Sequence, residues 1–252
     1  MNRSFKAAKD VVMDILYPRK CVFCNRTMEV RSYRRLKMGE IYDGLCSDCR
    51  EDSVYVDEPL CMKCGKEIES REREYCYDCG RRKHIYDRGA AVFKYSDKVR
   101  KSIYRFKYSG HKIYGDFYGK EMHDRYREII TLWKPEAIIP VPIYRGKFRK
   151  RGYNQAELIG KRLAELTGIP IDTYILTRSR NTIPQKELNY IFRKKNVENA
   201  FKVTGSVVKY NKIILVDDIY TTGCTIDACA RVLKNAGVKE VYFITICIGQ
   251  GI

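Results

Sequence analysis

Eight of the eleven cysteines in this 252-residue chain fall in four C-x-x-C pairs: Cys21/Cys24, Cys46/Cys49, Cys61/Cys64 and Cys76/Cys79. Two residues between thiolates let both sulfurs of a knuckle reach one tetrahedral ion at about 2.3 Å, and two knuckles close an all-thiolate structural zinc site. Four knuckles therefore predict two zinc ions. Spacing alone leaves their pairing open between a sequential and a cross-braced arrangement. Residues 20–80 hold few clustered aliphatics, so metal is expected to supply most of their stability, on the order of 10 kcal/mol per site. A disulfide framework is the weaker reading, because no secretory signal precedes the knuckles. The first residues are rich in charge, and the apolar run Val11–Leu16 is short and broken by Asp14. A cytoplasmic metal module with no transmembrane segment is expected. His84, just past the last knuckle, reads as a solvated or structural histidine, since eight thiolates leave no ninth ligand to find.

The cysteine segregation divides the chain into an N-terminal amphipathic helix (1–19), a four-knuckle zinc domain (20–85) and an α/β domain (88–252). In the first part Phe5, Ala8, Val11, Val12, Ile15 and Leu16 recur at helical spacing ahead of Pro18, and residues 30–40 form a polar insert between knuckles. Beyond the knuckles, strands are expected at Gly89–Tyr95, Ala137–Val141, Thr173–Leu176, Ala200–Val203 and from Lys212 to Asp217. Helices are expected over Asp97–Tyr108, about 113–131, Asn154–Leu166 and from Cys224 to Gly237. Strand-helix alternation predicts a parallel sheet with ligands at the carboxyl ends of its strands. Cys229 and Cys247 fall at core positions, where free cysteine acts as a small hydrophobe.

Formal net charge is +18, and the chain stays strongly basic after eight thiolates and two dications are counted. The excess is clustered at Arg145, Lys147, Arg149, Lys150 and Arg151 and again at Arg100, Lys101, Arg105, Lys107 and Lys112. Such clusters favour polyanions, either a pyrophosphate or a nucleic-acid backbone. A nucleotide triphosphate held in a P-loop is excluded, because no G-x-x-x-x-G-K-[ST] occurs. The run Val216–Thr225 (VDDIYTTGCT) sets two adjacent carboxylates between a buried strand and a hydroxyl-rich turn that opens a helix. Helix-start N–H groups hold phosphate, and paired acids accept hydrogen bonds from vicinal hydroxyls, so the constellation suits a ribose 5-phosphate.

That run resembles the phosphoribosyl-pyrophosphate (PRPP) signature of type I phosphoribosyltransferases. The resemblance implies Asp217 and Asp218 on the ribose hydroxyls, and Thr221, Thr222, Gly223, Cys224 and Thr225 on the 5-phosphate. The segment Pro140–Gln155 (PVPIYRGKFRKRGYNQ), the four knuckles, the stretch Phe106-Lys107-Tyr108-x-Gly110 and the segment carrying Thr182, Gln185, Arg193 and Asn196 are together similar to the ComF family. Its members join a cysteine-knuckle domain to a phosphoribosyltransferase-like domain and are associated with natural competence. This likeness implies a basic loop over residues 142–152 that binds pyrophosphate through Arg145, Arg151 and Gly152, with Lys107 a further candidate and the loop's other cations solvated. It also implies a loop closing over PRPP with Arg178, Thr182, Gln185, Arg193 and Asn196, and Mg²⁺ bound with PRPP. PRPP is the implied partner, and single-stranded DNA and competence or helicase proteins are further candidates. Three roles stay open: a PRPP-site protein of DNA uptake, an active transferase releasing pyrophosphate, and a non-catalytic DNA-binding or docking protein using Tyr104, Tyr108, Tyr114, Tyr144 and Tyr153. Tyr220 stands where some purine-salvage relatives carry an acid for the incoming base, which speaks against that chemistry.

Overall fold

The structure, a computed structural model, describes residues 19–28, 44–52, 55–181, 192, 195, 197–204 and 209–249. The expected helix at 4–16 and the insert at 30–40 lie outside the described residues. In chain order the strands are β1 (Arg88–Lys94), β2 (Ala137–Pro140), β3 (Leu176–Arg178), β4 (Phe201–Val203), β5 (Lys212–Tyr220) and β6 (Glu240–Ile248). The helices are α1 (Ser47–Glu51), α2 (Tyr77–Arg81), α3 (Asp97–Tyr108), α4 (Tyr114–Trp133), α5 (Arg145–Arg151), α6 (Gln155–Thr167) and α7 (Cys224–Asn235).

Four strands form a parallel sheet in the order β1-β6-β5-β2, and β3 and β4 pair antiparallel apart from it. The central strands bear out the continuous apolar runs: Ile213 to Val216 and Val241 to Ile248 are buried on both faces. One face carries α3, α4 and α6, through Ile103, Phe106, Phe117, Met122, Ile159 and Leu163. The other carries α7, through Ile226, Cys229, Ala230 and Leu233. Sequence capping signals set the helix ends. Ser96 accepts from the Val99 N–H at the start of α3, and Asn154 from the Ala156 N–H at the start of α6. Gly168, left-handed at φ 73°, closes α6.

The cysteines gather sequentially, not cross-braced: Cys21, Cys24, Cys46 and Cys49 in one cluster, Cys61, Cys64, Cys76 and Cys79 in the other. In each the four sulfurs lie within 4.8 Å of one another, as a tetrahedral ion requires. These are two structural zinc sites. The second is the deeper, with Cys61, Cys64 and Cys76 all buried.

The ribbons straddle edge strand β1 and share the sheet's two cores, a sharing that composition did not predict. Val22 and Phe23 of the first pack with Phe93 and Phe117, the Phe23 ring 5.1 Å from Phe93. Arg105 on α3 donates to the carbonyls of Val22 and Phe23, both at 2.8 Å. The second ribbon joins the opposite core beside Tyr86 and Phe243. Its backbone is bonded to β1, the Gly89 N–H donating to the Lys63 carbonyl at 2.9 Å. Gly65 sits so close to β1 that a Cβ would lie 2.8 Å from the Gly89 carbonyl oxygen. An edge strand is thereby covered on its open side.

Candidate functional site

Strand β5 does not end at Asp217, as the sequence reading had it, but runs to Tyr220, because β6 continues to pair with it through Tyr220 opposite Ile248. Its other neighbour stops earlier. The last β2 pair is Pro140 with Val216, so Asp217 and Asp218 project where β5 is flanked by β6 on one side and open on the other. This gap at the carboxyl ends of parallel strands is where α/β folds hold ligands. Strand alternation sends the two acids to opposite faces. Asp218 turns toward α3, its Oδ2 2.5 Å from the Lys107 ammonium. Asp217 turns toward α7 and β3, where Arg178 and Cys229 are its charged and polar neighbours.

Burial, followed by the adjacent Asp218 charge, pushes the Asp217 carboxyl up to about 7, against the pull of Lys107 and Arg178. Lys107 is itself opposed by burial, yet Asp218 and then Asp217 hold its pKa above the ordinary value. Lys147 goes the other way: burial first, then Arg178, Arg151 and Lys107, lower its pKa. Four cations, Lys107, Lys147, Arg151 and Arg178, thus feel one another across the gap. They come from three separate segments, α3, α5 and β3, and such a cluster suits a polyanion.

The expected basic loop is largely a helix. Residues 145–151 form α5, which stops at Gly152 with φ 79° and a Gly152 N–H to Phe148 carbonyl bond of 2.7 Å. A Cβ on Gly152 would meet no protein atom within 4 Å, and its positive φ makes it the left-handed stop of α5. The motif R-G-Y-N-Q is mostly scaffold. Asn154 Nδ2 donates to the Val141 carbonyl at 3.0 Å, tying α6 to the end of β2. Gln155, 1% exposed, donates to the Phe106 carbonyl and accepts from Arg151, whose guanidinium also lies 5.2 Å from the Tyr108 ring. Arg151 is therefore held between α3 and α6. Arg145 is exposed at the start of α5. Lys147, read from sequence as solvated, is the cluster's half-buried lysine, because one helical turn separates it from Arg151.

After β5, Thr221, Thr222 and Gly223 make the turn into α7. Gly223 adopts φ 78°, and a Cβ there would lie 2.7 Å from the Tyr220 hydroxyl and 3.0 Å from His84 Cε1. Thr222 is buried and its hydroxyl donates to Cys224 Sγ at 3.2 Å. The turn and the positive end of the α7 dipole suit a phosphate. Gly223→Ala is expected to weaken sugar-phosphate affinity at least tenfold, the strained φ and the two contacts together forcing the turn to shift; calorimetry with ribose 5-phosphate measures it.

Of the closing-loop candidates, Arg178 is described: it ends β3, lies 5.2 Å from the Phe201 ring and faces Asp217. Thr182, Gln185, Arg193 and Asn196 lie outside the described residues. Tyr220 is buried, stacked 4.9 Å from Phe243 and hydrogen-bonded at 2.7 Å to the Tyr86 hydroxyl. Burial keeps its phenol far above neutral pH, so it supplies no base. Tyr114 and Tyr153 are core residues, whereas Tyr104 and Tyr108 are each 61% exposed with rings 4.8 Å apart.

A double zinc ribbon domain model matches residues 12–80, and a phosphoribosyl transferase domain model matches residues 156–250. Competence protein F of Haemophilus influenzae is 29% identical over 227 residues, spanning 88% of this chain and 93% of that protein. Competence protein ComFC of Streptococcus pneumoniae is 27% identical over 230 residues, 88% of this chain and 96% of the other. These likenesses and the two domain models support the ComF family. The DNA utilization protein YhgH of Escherichia coli K12 is a further relative, 27% identical over 209 residues, 81% of this chain and 90% of its own length. In this chain the zinc ribbons pack into the same two cores as the sheet, and among the described residues no helix is long and apolar enough to cross a membrane.

Proposed function

We propose that this protein is a ComF-family member that binds PRPP with Mg²⁺ in the gap beside β5 and serves DNA uptake in natural competence, a reading supported by relatives named competence proteins and a DNA utilization protein. One observation carries the ligand assignment: an acid pair, a phosphate-type turn and four converging cations surround a single opening. Asp217 and Asp218 accept hydrogen bonds from the ribose hydroxyls, and the Thr221–Thr225 segment with the N-terminus of α7 receives the 5-phosphate. Lys107, Lys147, Arg151 and Arg178 face the pyrophosphate, with Arg145 at the mouth. Asp217 and Asp218 would hold Mg²⁺ together with the ligand, and the ion would supply charge neutralisation for the pyrophosphate. A binding role is favoured over base-assisted transfer, because Tyr220 is committed to Tyr86 in the core.

Proton linkage tests the assignment. Asp217 must be ionised to accept two hydroxyl hydrogen bonds and to lie beside Mg²⁺, while burial and the Asp218 charge push its carboxyl up to about 7 in the free protein. Binding is therefore expected to release a proton at pH 6.5 and to tighten as pH rises through 7. Calorimetry in two buffers of different ionisation enthalpy measures the release. Asp217→Asn should remove the part of it that belongs to the protein, leaving the part due to the ligand's phosphates; equal release from both proteins would contradict the role given to Asp217.

The exposed Tyr104–Tyr108 pair beside Arg151 supports single-stranded DNA as a second ligand, stacking being worth about 1–3 kcal/mol per base. Log affinity should fall with log salt by about 0.7 per phosphate neutralised. Tyr104→Ala with Tyr108→Ala should weaken binding without changing that slope. Since Arg151 faces both surfaces, PRPP and DNA should compete, and by linkage equally in each direction. Undetectable binding at low salt would remove the DNA reading.

A further inference from the structure

His84 lies just past the second zinc cluster in sequence and beneath the phosphate turn in space. Its side chain is 1% exposed, with Nδ1 2.7 Å from Asp227 Oδ2. The Ile85 N–H donates to the other carboxylate oxygen, Oδ1, also at 2.7 Å. The imidazole stacks on Tyr86 with centroids 4.9 Å apart, while its Cε1 edge faces Gly223. Its Nε2 is buried with no hydrogen-bond partner among the described residues.

Packing alone does not account for an imidazole here. An apolar side chain would fill the space under Gly223 without leaving a buried nitrogen unpartnered, which is a cost that folded proteins rarely carry. What the imidazole adds is a donor at Asp227. Asp227 stands in the first turn of α7, where a carboxylate complements the helix dipole but repels any anion bound at the same end. Two donors on that carboxylate draw its charge away from the turn.

We propose that His84 is a positioning residue for the phosphate turn, supporting Gly223 from below and engaging Asp227 so that the N-terminus of α7 can accept a sugar phosphate. This rests on the ribose-phosphate site proposed above. His84 acts through Asp227 and the turn, not by touching the ligand.

The test is calorimetric titration of the full chain with ribose 5-phosphate, with zinc content measured alongside. His84→Leu is expected to weaken binding about tenfold, the size of one charge-assisted hydrogen bond. His84→Asn, which sets an N–H near the position of Nδ1, should retain most of the affinity. Asp227→Asn alone should bind at least as tightly as the unmodified protein. His84→Leu combined with Asp227→Asn should recover most of the loss, because the repelling charge is gone. Recovery distinguishes charge screening from mere packing, and all variants should keep two zinc ions. Equal binding by His84→Leu, no recovery in the double variant, or weaker binding by Asp227→Asn would each overturn the proposal. If the unmodified protein binds no ribose 5-phosphate, the ribose-phosphate site itself is lost and His84 has no such role.

Discussion

Cys64→Ser is expected to cost this protein its native fold and not only its second ribbon. A structural zinc site contributes on the order of 10 kcal/mol of apparent binding free energy, which matches the whole stability of a typical domain, about 5–15 kcal/mol. Composition predicts that such a loss stays within the metal module. The packing contradicts that expectation. Cys64 is fully buried in the same core as Phe243 and Leu215 of the central strands, and the knuckle carbonyl of Lys63 accepts from the Gly89 N–H of β1. Losing the ion frees a knuckle that covers the sheet edge and exposes Tyr86, a ring that touches both Phe243 and Tyr220. Zinc content should fall from two ions to one per chain, with most of the protein insoluble and the soluble remainder showing a strongly lowered Tm. Cys24→Ser in the shallower site should cost less. A Cys64→Ser protein with one zinc, an unchanged Tm and unchanged near-ultraviolet dichroism would show that the ribbon and the sheet are energetically separate.

The acid pair should give the largest effect on ligand binding, and the two positions should differ in how they affect stability. Loss of a charged hydrogen-bond partner costs about 1.5–3 kcal/mol, roughly ten- to a hundredfold in affinity, so either Asp217→Asn or Asp218→Asn should weaken PRPP by at least that factor. In Asp218→Asn the Lys107 ammonium, 2.5 Å from the carboxylate, loses its ion-pair partner in a half-buried setting, and Tm should fall. Asp217 behaves oppositely. Its folded-state value of about 7 lies above the ordinary 3.8, so between those values the native state binds the proton more tightly than the unfolded chain does. Stability from this group is therefore lost as pH rises from about 4 to about 7, and the cost is complete above that. At pH 8 the neutral Asp217→Asn should melt no lower than the unmodified protein while binding PRPP far more weakly. A lowered Tm in Asp217→Asn at pH 8 would mean that the carboxylate is structural.

Much of the fold was legible because its signals are contiguous. Knuckles, apolar strand runs, Ser96 and Asn154 caps and the Gly168 stop are each written within a few residues. Their energetics are local, so spacing and propensity suffice to read them. What could not be read is set by long-range pairing. The order β1-β6-β5-β2 brings the C-terminal strand beside the first, and only this extends β5 past Asp217. Lys107 reaches Asp218 on β5 from helix α3, and His84 reaches Asp227 across 143 positions of sequence, so no window of residues displays either contact. Lys147 was misread for a related reason: among five cations in seven residues, only the helical turn of α5 distinguishes the one that faces Arg151 and Arg178. The orphaned nitrogen of His84 has no sequence signature at all.

The account's central claim is a ribose-phosphate site at the open end of β5, and titration calorimetry of the unmodified, two-zinc protein with PRPP at pH 8 tests it most directly. The expected result is one PRPP per chain, bound only when Mg²⁺ is present and weakened at least tenfold by Asp217→Asn. No binding with Mg²⁺ present, or binding that Asp217→Asn and Asp218→Asn both leave unchanged, would contradict it.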